Sequence, residues 1–166
     1  MDDLKTKLEK AQQLYRAGRF QDPVFIQLAR ANHEPLKALL GQMLDDERDQ
    51  ARYMAADYLH EMELQPDDEI LDKVRALVVN DSDALTRASA ALVLGSHSRW
   101  PDAALEQALS KEKEPQAKQA IFLAILELMT SWDFADGQRS AVDQGTVELS
   151  MESATKLAES YRKGGD

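Results

Sequence analysis

The chain has 166 residues, of which 43% are hydrophobic and 30% charged, and its formal net charge is −10. This length fits one domain with a substantial core, and the absence of cysteine excludes disulfides, thiolate metal sites and a cysteine nucleophile. No apolar run of about 18 residues is present to cross a membrane, the charged start Met1–Lys5 does not fit a signal peptide, and the acidic balance argues against nucleic-acid phosphates as a partner. We therefore expect a cytoplasmic protein with one domain, residues 1–166.

Two helices are predicted at the N-terminus. Apolar residues recur with helical spacing over residues 4–15, and Gly18 is typical of a helix end. Asp22 followed by Pro23 is typical of a helix start, because an N-cap acceptor precedes a proline at the first helical position. We expect residues 1–33 to form a capping helix pair.

An internal repeat follows this pair. Ala51–Leu59 and Thr86–Leu94 both read small, Arg, x, x, Ala, Ala, x, x, Leu, at an offset of 35 residues. A third copy, Ala117–Ile125, lies at an offset of 31, and Gly95 after the second copy is predicted as a helix C-cap. Two-helix units of this kind need their neighbours to bury both apolar faces. The repeat predicts three helical hairpins, at 35–62, 67–96 and 101–130.

Small residues in the repeat predict close packing of neighbouring helices. The pairs Ala55-Ala56 and Ala90-Ala91 leave room for such an approach, whereas the third copy has the bulkier Ile121-Phe122 in the same positions. Bulk there is expected where a stack meets a terminal element. The tail supplies that element: a loop to about residue 145, then a capping helix that begins after Ser150, all within residues 131–166.

The repeat resembles the HEAT-like repeats of the phycobilisome-lyase type. In that pattern an acidic turn leads to a helix reading Val-Arg-x-x-Ala-Ala-x-x-Leu-Gly, and the resemblance covers roughly residues 35–130. Ala51 and Thr86 stand where the pattern prefers Val, and His60 replaces the terminal Gly in the first unit. The resemblance implies an all-α protein, a short right-handed α-α superhelix (HEAT-like solenoid) of about three helical hairpins with capping helices at both ends.

The negative charge is concentrated in the first two repeats. Residues 45–83 hold 13 acidic side chains against four basic ones, a net charge of −9. Three acidic runs in this window, beginning at Asp45, Asp67 and Asp81, each precede a helical stretch, where carboxylates cap the helix and face its positive end. Two interpretations stay open: helix capping with solubility, or a docking surface for a basic partner.

The second helix of each repeat predicts one core face and one recognition face. With 100° per residue, the core stripe holds Ala51, Ala55 and Leu59 and their equivalents Thr86, Ala90 and Leu94. In HEAT-like stacks the second helices line the concave side. The opposite face, which also includes Ala88, is therefore the predicted partner-binding surface, with the members Tyr53, Asp57, Glu61, Leu92, Ser96, Gln119, Leu123 and Glu127. The alternative is that Leu92 and Leu123 are buried by a neighbouring helix or by the tail.

Four further side chains have predicted structural roles. Arg52 and Arg87 occupy the same repeat position, so we expect both to bind the acidic turn of their own or the adjacent unit, with Asp46 and Asp81 as candidate partners. We expect Trp100 to pack between the second and third units, and Trp132 to be a tail anchor or an exposed contact.

The sequence offers little for catalysis. His33, His60 and His97 lie near predicted helix ends without metal-ligand spacing, and no phosphate-binding or hydrolase motif is present. We expect no enzymatic activity, metal or cofactor, and instead a monomeric interaction scaffold or adaptor that binds a protein with a basic surface. Three alternatives remain: an immunity or inhibitor protein that neutralises a basic toxin or enzyme, an accessory subunit of a lyase-type enzyme, and a self-assembly module.

Overall fold

The protein is all-α over the residues that the structure, a computed structural model, describes: 2–99 and 102–131. Eight helices and no strand occur in these ranges, as the periodicity predicts. No helix among them is both long enough and apolar enough to cross a bilayer. The helices are α1 (Asp2–Arg16), α2 (Pro23–Arg30), α3 (Leu36–Leu44), α4 (Asp49–Glu61), α5 (Asp68–Asn80), α6 (Ala84–His97), α7 (Ala103–Lys111) and α8 (Pro115–Ser131).

Aspartates cap the N-termini of α2, α5, α6 and α7, and two of them, Asp67 and Asp83, belong to the acidic runs. Asp22 accepts the Val24 N–H at 3.1 Å at the start of α2, with Pro23 at the first helical position. Asp67 and Asp83 cap α5 and α6 through N–H donors three residues further on, and Asp102 caps α7. These carboxylates therefore have a local structural role, which accounts for part of the negative charge.

The prediction of capping by the first acidic run is wrong. The N-cap of α4 is Arg48, which makes no side-chain capping bond. Asp46 instead accepts three bonds from Arg48, from its backbone N–H and from its guanidinium, and a further bond of 2.8 Å from the Tyr15 hydroxyl. These bonds, above all those from the Arg48 guanidinium, hold the pKa of the Asp46 carboxyl well below its usual range. The Asp46 carboxylate thus joins α1 to the loop before α4 through its bond with Tyr15.

The helices pack in two sets. Each odd-numbered helix contacts the helix that follows it, and the even-numbered helices also contact one another in chain order. We call α3, α5 and α7 the first-helix layer and α4, α6 and α8 the second-helix layer. The backbones of the second-helix layer approach each other more closely than those of the first-helix layer.

Small side chains permit the close approach in the second-helix layer. The predicted core stripe of α4 and α6 is buried, and so are the four paired alanines. Gly95 was predicted to end a helix, but it lies inside α6, whose C-cap is Ser98. A Cβ at Gly95 would come within 2.9 Å of the Ala124 Cα of α8, closer than packed atoms allow. The glycine is therefore a packing residue rather than a cap.

The bulky pair Ile121-Phe122 lies near the middle of α8 and is buried. Ile121 belongs to the main core, whereas Phe122 and Leu126 are buried in a small cluster of their own. The remaining predictions for this end of the chain lie outside the described residues: the positions of Trp100 and Trp132, the loop to residue 145 and the helix after Ser150.

Candidate interaction surface

The eight residues predicted to bind a partner lie on the three helices of the second-helix layer. We call these eight residues the second-helix surface. Since the repeats are offset by 35 and 31 residues, Asp57, Leu92 and Leu123 occupy equivalent positions on α4, α6 and α8. Glu61, Ser96 and Glu127 form the equivalent set one helical turn further on. Five of the eight residues are exposed and three are half-buried, the latter being Tyr53, Asp57 and Leu92.

The apolar part of this surface is open on α8. Leu123 is 48% exposed, so no neighbouring helix of the described ranges buries it, and the alternative that the tail covers it concerns residues outside those ranges. Leu92 is half-buried. Leu85 is a further exposed leucine, at 44%, which our reading of the sequence missed. Its spacing could have revealed it, because Leu85 precedes Leu92 by seven residues, about two helical turns, and so lies near the same face of α6.

The surface is less open on α4 and at one position of α6. Ala88, which the helical spacing placed on the recognition face, is only 8% exposed. Tyr53 packs against the edge of the main core. Burial raises the pKa of the Tyr53 hydroxyl, and the charges of Asp57 and Asp83 raise it further. Ala88 and Tyr53 are therefore less accessible to a partner than the helical spacing predicts.

Carboxylates border the apolar part. Burial raises the pKa of Asp57, and the nearby charge of Glu61 raises it further, so this edge has a negative local field. Glu61 makes an exposed ion pair of 3.4 Å with Arg30 of α2. Glu127 reaches back over α6, since its Oε2 lies 3.0 Å from where a Cβ on Gly95 would be. The anionic residues thus lie toward the C-terminal ends of α4 and α6.

Two arginines fix the positions of the helices beneath this surface. Arg52 donates to both carboxylate oxygens of Asp81, at 2.7 and 3.0 Å, and to the backbone carbonyls of Asp46 and Glu47. The predicted role of Arg52 is therefore confirmed for both its own turn and the adjacent one.

Arg87 repeats this arrangement one unit later. It donates to both oxygens of Glu112, at 2.7 and 2.9 Å, and to the carbonyls of Asp81 and Ser82. The carboxylate partner is thus a glutamate at the end of α7 rather than one of the two aspartates predicted. Fork-shaped pairing of this kind fixes orientation as well as distance. Each unit is therefore held in register with the next.

The three histidines have different environments. His60 Nδ1 lies 3.2 Å from the Ser96 hydroxyl on the second-helix surface. His97 is buried, and its Nε2, like that of His33, has no hydrogen-bond partner among the described residues. Burial lowers the pKa of His97. Within the described residues, no three His, Asp or Glu side chains are placed to hold a metal ion.

An open cavity of about 420 Å³ lies between α3 and α5 of the first-helix layer. Its two lysines are already engaged. Lys37 donates to the Gln65 carbonyl at 2.8 Å and pairs with Glu34, and Lys73 pairs with Asp45 at 2.7 Å. These internal pairs stabilise the contact between the helices and leave little unsatisfied charge for a ligand.

Comparison with known proteins returns no relative of this chain. No protein-family model, curated protein or solved structure matches it. We therefore infer function from the side chains and packing of the chain itself.

Proposed function

We propose that this protein is a non-enzymatic scaffold or adaptor that binds another protein through the second-helix surface. The observation that carries the proposal is the exposed Leu123 beside half-buried Leu92, with Asp57, Glu61 and Glu127 at the border. Interfaces typically combine an apolar centre with a polar rim, and binding energy is concentrated in such apolar contacts. The carboxylates add selectivity for a partner that carries Lys or Arg around an apolar centre.

The packing supports a short right-handed superhelix of the HEAT-like type as the architecture behind this surface. Equivalent arginines join consecutive units by equivalent bonds. The second helices also approach each other more closely than the first helices do. A stack whose units are closer on one side curves toward that side, so the second-helix surface is the concave one in this proposal. Concave faces are the usual binding surfaces of stacked helical repeats.

A capture experiment with a surface-disrupting variant tests the proposal. The double substitution Leu92→Asp and Leu123→Asp places two charges in the apolar centre, and Ala76→Asp on the exposed side of α5 is the matched control. Circular dichroism must show that both variants fold as the wild type does. We expect a captured protein, once purified, to bind the wild type and the control directly but to bind the double variant at least tenfold more weakly.

Salt dependence tests the electrostatic part of the proposal. Attraction between exposed charges weakens over the range from low to physiological ionic strength, because the screening length falls below about 10 Å. We expect the affinity for the purified partner to fall over this range. Equal binding by the double variant would contradict the assignment of the surface, and salt-independent binding would contradict the basic character of the partner.

A further inference from the structure

We propose that the C-terminal ends of α4 and α6 form a proton-sensitive contact: protonation of His97 separates these two helix ends, while the rest of the stack stays folded. We call the residues His60, Gln65, Ser96 and His97 the helix-end contact. Ser96 also belongs to the second-helix surface, so the helix-end contact lies at the border of that surface.

The helices α4 and α6 begin at one edge of the stack and end at the other. At the first edge, Arg52 near the start of α4 pairs with Asp81, which precedes α6. At the second edge, His60 Nδ1 near the end of α4 lies 3.2 Å from the Ser96 hydroxyl near the end of α6. Arg52 and His60 are eight residues apart in one helix, so about 12 Å separates the two edges along the axis.

The two edges are held together by groups that respond differently to acid. At the first edge, arginine forks bind Asp81 and Glu112, and a guanidinium stays charged at any physiological pH. The bonds from Arg87 also hold the pKa of Glu112 below its usual value, so this pair persists between pH 7 and 5. Histidine is the side chain that ordinarily changes charge in that interval, and the histidines of α4 and α6 both lie at the second edge.

The closed contact has no place for a second proton on His97. Its side chain is buried, with the residue 9% exposed, and its Nε2 has no hydrogen-bond partner among the described residues. Protonation makes both ring nitrogens donors, so a charged ring would bury a donor without an acceptor, which is unfavourable. The neutral ring instead packs at the contact, where Gln65 donates to the His97 carbonyl at 2.7 Å.

The charged groups around His97 do not reverse this preference. Burial has the largest influence and lowers the pKa of His97, and the nearby His60 of α4 lowers it further. Glu127 of α8 and the backbone groups of Leu59 and Met62 raise the pKa, but by less than burial lowers it. The closed contact therefore favours the neutral ring.

Acid must then favour the open form of the contact. A ring that reaches water accepts a proton at its usual pKa of about 6.5, so the open form binds more protons than the closed form. Falling pH therefore shifts the equilibrium toward opening. For one proton, the opening equilibrium rises by at most about eightfold between pH 7 and 5.5. The arginine forks confine this opening to the second edge.

Amide hydrogen exchange, measured by NMR on the full chain at pH 7 and 5.5, tests the proposal. The rates are corrected for the intrinsic effect of pH, so that the remaining change reports local opening. We expect protection to fall severalfold, up to about eightfold, near the helix ends at residues 58–61 and 93–97. Protection near the forks, at residues 53–56 and 88–91, should not change. Equal losses at both edges, or no loss at the helix ends, would overturn the proposal.

Two histidine variants identify the group responsible. His97→Gln removes the titrating ring and should make protection at the helix ends independent of pH over this range. His33→Gln is the matched control, because His33 also has a buried Nε2 without a partner among the described residues but follows α2. It should keep the response of the wild type, and loss of the response in this control would contradict the role of His97.

A titration of the wild-type imidazole rings by NMR needs no variant and decides the matter if His97→Gln does not fold. We expect the His97 ring to be protonated with a midpoint below pH 6.5, and the signals of the helix ends to change over the same interval. A midpoint at or above pH 6.5 would show that the closed contact accepts the proton, which would overturn the proposal.

Discussion

The first-helix layer and the second-helix layer differ in the size of their buried side chains. The second helices bury small residues beside large ones, with Ala90, Ala91 and Gly95 on α6, and Gly95 lies directly against Ala124 of α8. In the first-helix layer the buried residues are mostly branched or long, such as Leu71 and Val74 of α5. The layer with small residues has the closer backbones. Small side chains in the core thus permit neighbouring helices to lie closer together in the second-helix layer.

The two layers also differ in the side chains that they expose to solvent. The two lysines that line the cavity of the first-helix layer reach across it: Lys37 of α3 donates to the Gln65 carbonyl before α5, and Lys73 of α5 pairs with Asp45 at the end of α3. The second-helix layer presents leucines, 48% exposed at Leu123, beside carboxylates. Close backbones therefore coincide with the surface that we propose binds a partner, whereas the lysines of the more widely spaced layer are paired within the protein.

Removing a guanidinium that joins consecutive units is expected to have the largest effect on stability. The Asp81 side chain is 2% exposed and relies on the fork of Arg52, so Arg52→Ala leaves a buried carboxylate unpaired. We expect the free energy of unfolding to fall by about 3 kcal/mol, as measured by urea denaturation. Arg30→Ala, which removes an exposed pair, should cost less than about 0.5 kcal/mol. A similar cost for both would contradict the proposed role of the buried forks.

Gly41 of α3 and Gly95 of α6, the buried helical glycines of the described residues, provide a direct comparison of the two layers. A Cβ at Gly95 would meet Ala124 at 2.9 Å, whereas a Cβ at Gly41 of α3 would meet Ile70 at an ordinary 3.8 Å. We expect Gly95→Ala to lower the free energy of unfolding by about 2 kcal/mol through overpacking. Gly41→Ala should raise it by about 0.5–1 kcal/mol, because alanine is the better helix former. Effects of the same sign at both positions would show that the layers do not differ in spacing.

Acid should weaken the link between the two layers at Glu112. The hydrogen bonds from Arg87 hold the pKa of the Glu112 carboxyl below its usual value of about 4.5. Its contribution to stability is therefore present above about pH 4.5 and is lost as the pH falls through the lowered pKa. One proton allows at most about 1.4 kcal/mol per pH unit. We expect Glu112→Gln to flatten the pH dependence of unfolding below pH 4.5, and an unchanged slope would contradict the role of this pair.

A smaller pH effect is expected within the second-helix layer. Burial lowers the pKa of His97 below its usual value of about 6.5, so the unfolded chain binds a proton more readily than the folded one. Stability should therefore fall as the pH drops below about 6.5, until the folded-state pKa is reached. Thermal unfolding between pH 7 and 5 should show this slope for the wild type and a reduced slope for His97→Gln. The same slope in both would assign the effect to other groups.

Much of the fold is predictable because its signals are local. Helical spacing of apolar residues, Asp22-Pro23 and Asp67 place helices close to where the structure has them. The repeat position shared by Arg52 and Arg87 also predicts a shared role, since equivalent positions in stacked units meet equivalent neighbours. The failure at Asp46 is instructive: an acidic residue before a helix is a capping signal, but here Arg48 and Tyr15 bind it instead.

The candidate surface was only partly predictable. Helical spacing identifies the face to which Leu92 and Leu123 belong, but it does not give the width of the buried stripe. That width is set by tertiary packing, and in the structure it includes Ala88 and reaches the half-buried Tyr53. The same reasoning overlooked Leu85, whose exposure depends on its place in the first turns of α6.

The sequence by itself determined the helices of the described ranges, the internal repeat and the charge of the turns. These features follow from the helical spacing of apolar residues, the capping residues and the repeat offset, all of which can be read from short stretches of chain. Tertiary structure alone decided that Gly95 packs against α8 rather than ending α6, and that Arg87 pairs with Glu112 rather than with an aspartate. It also decided how much of Leu123 faces solvent. These outcomes depend on the distance between helices that are remote in sequence, and that distance is set by side chains on both partners at once.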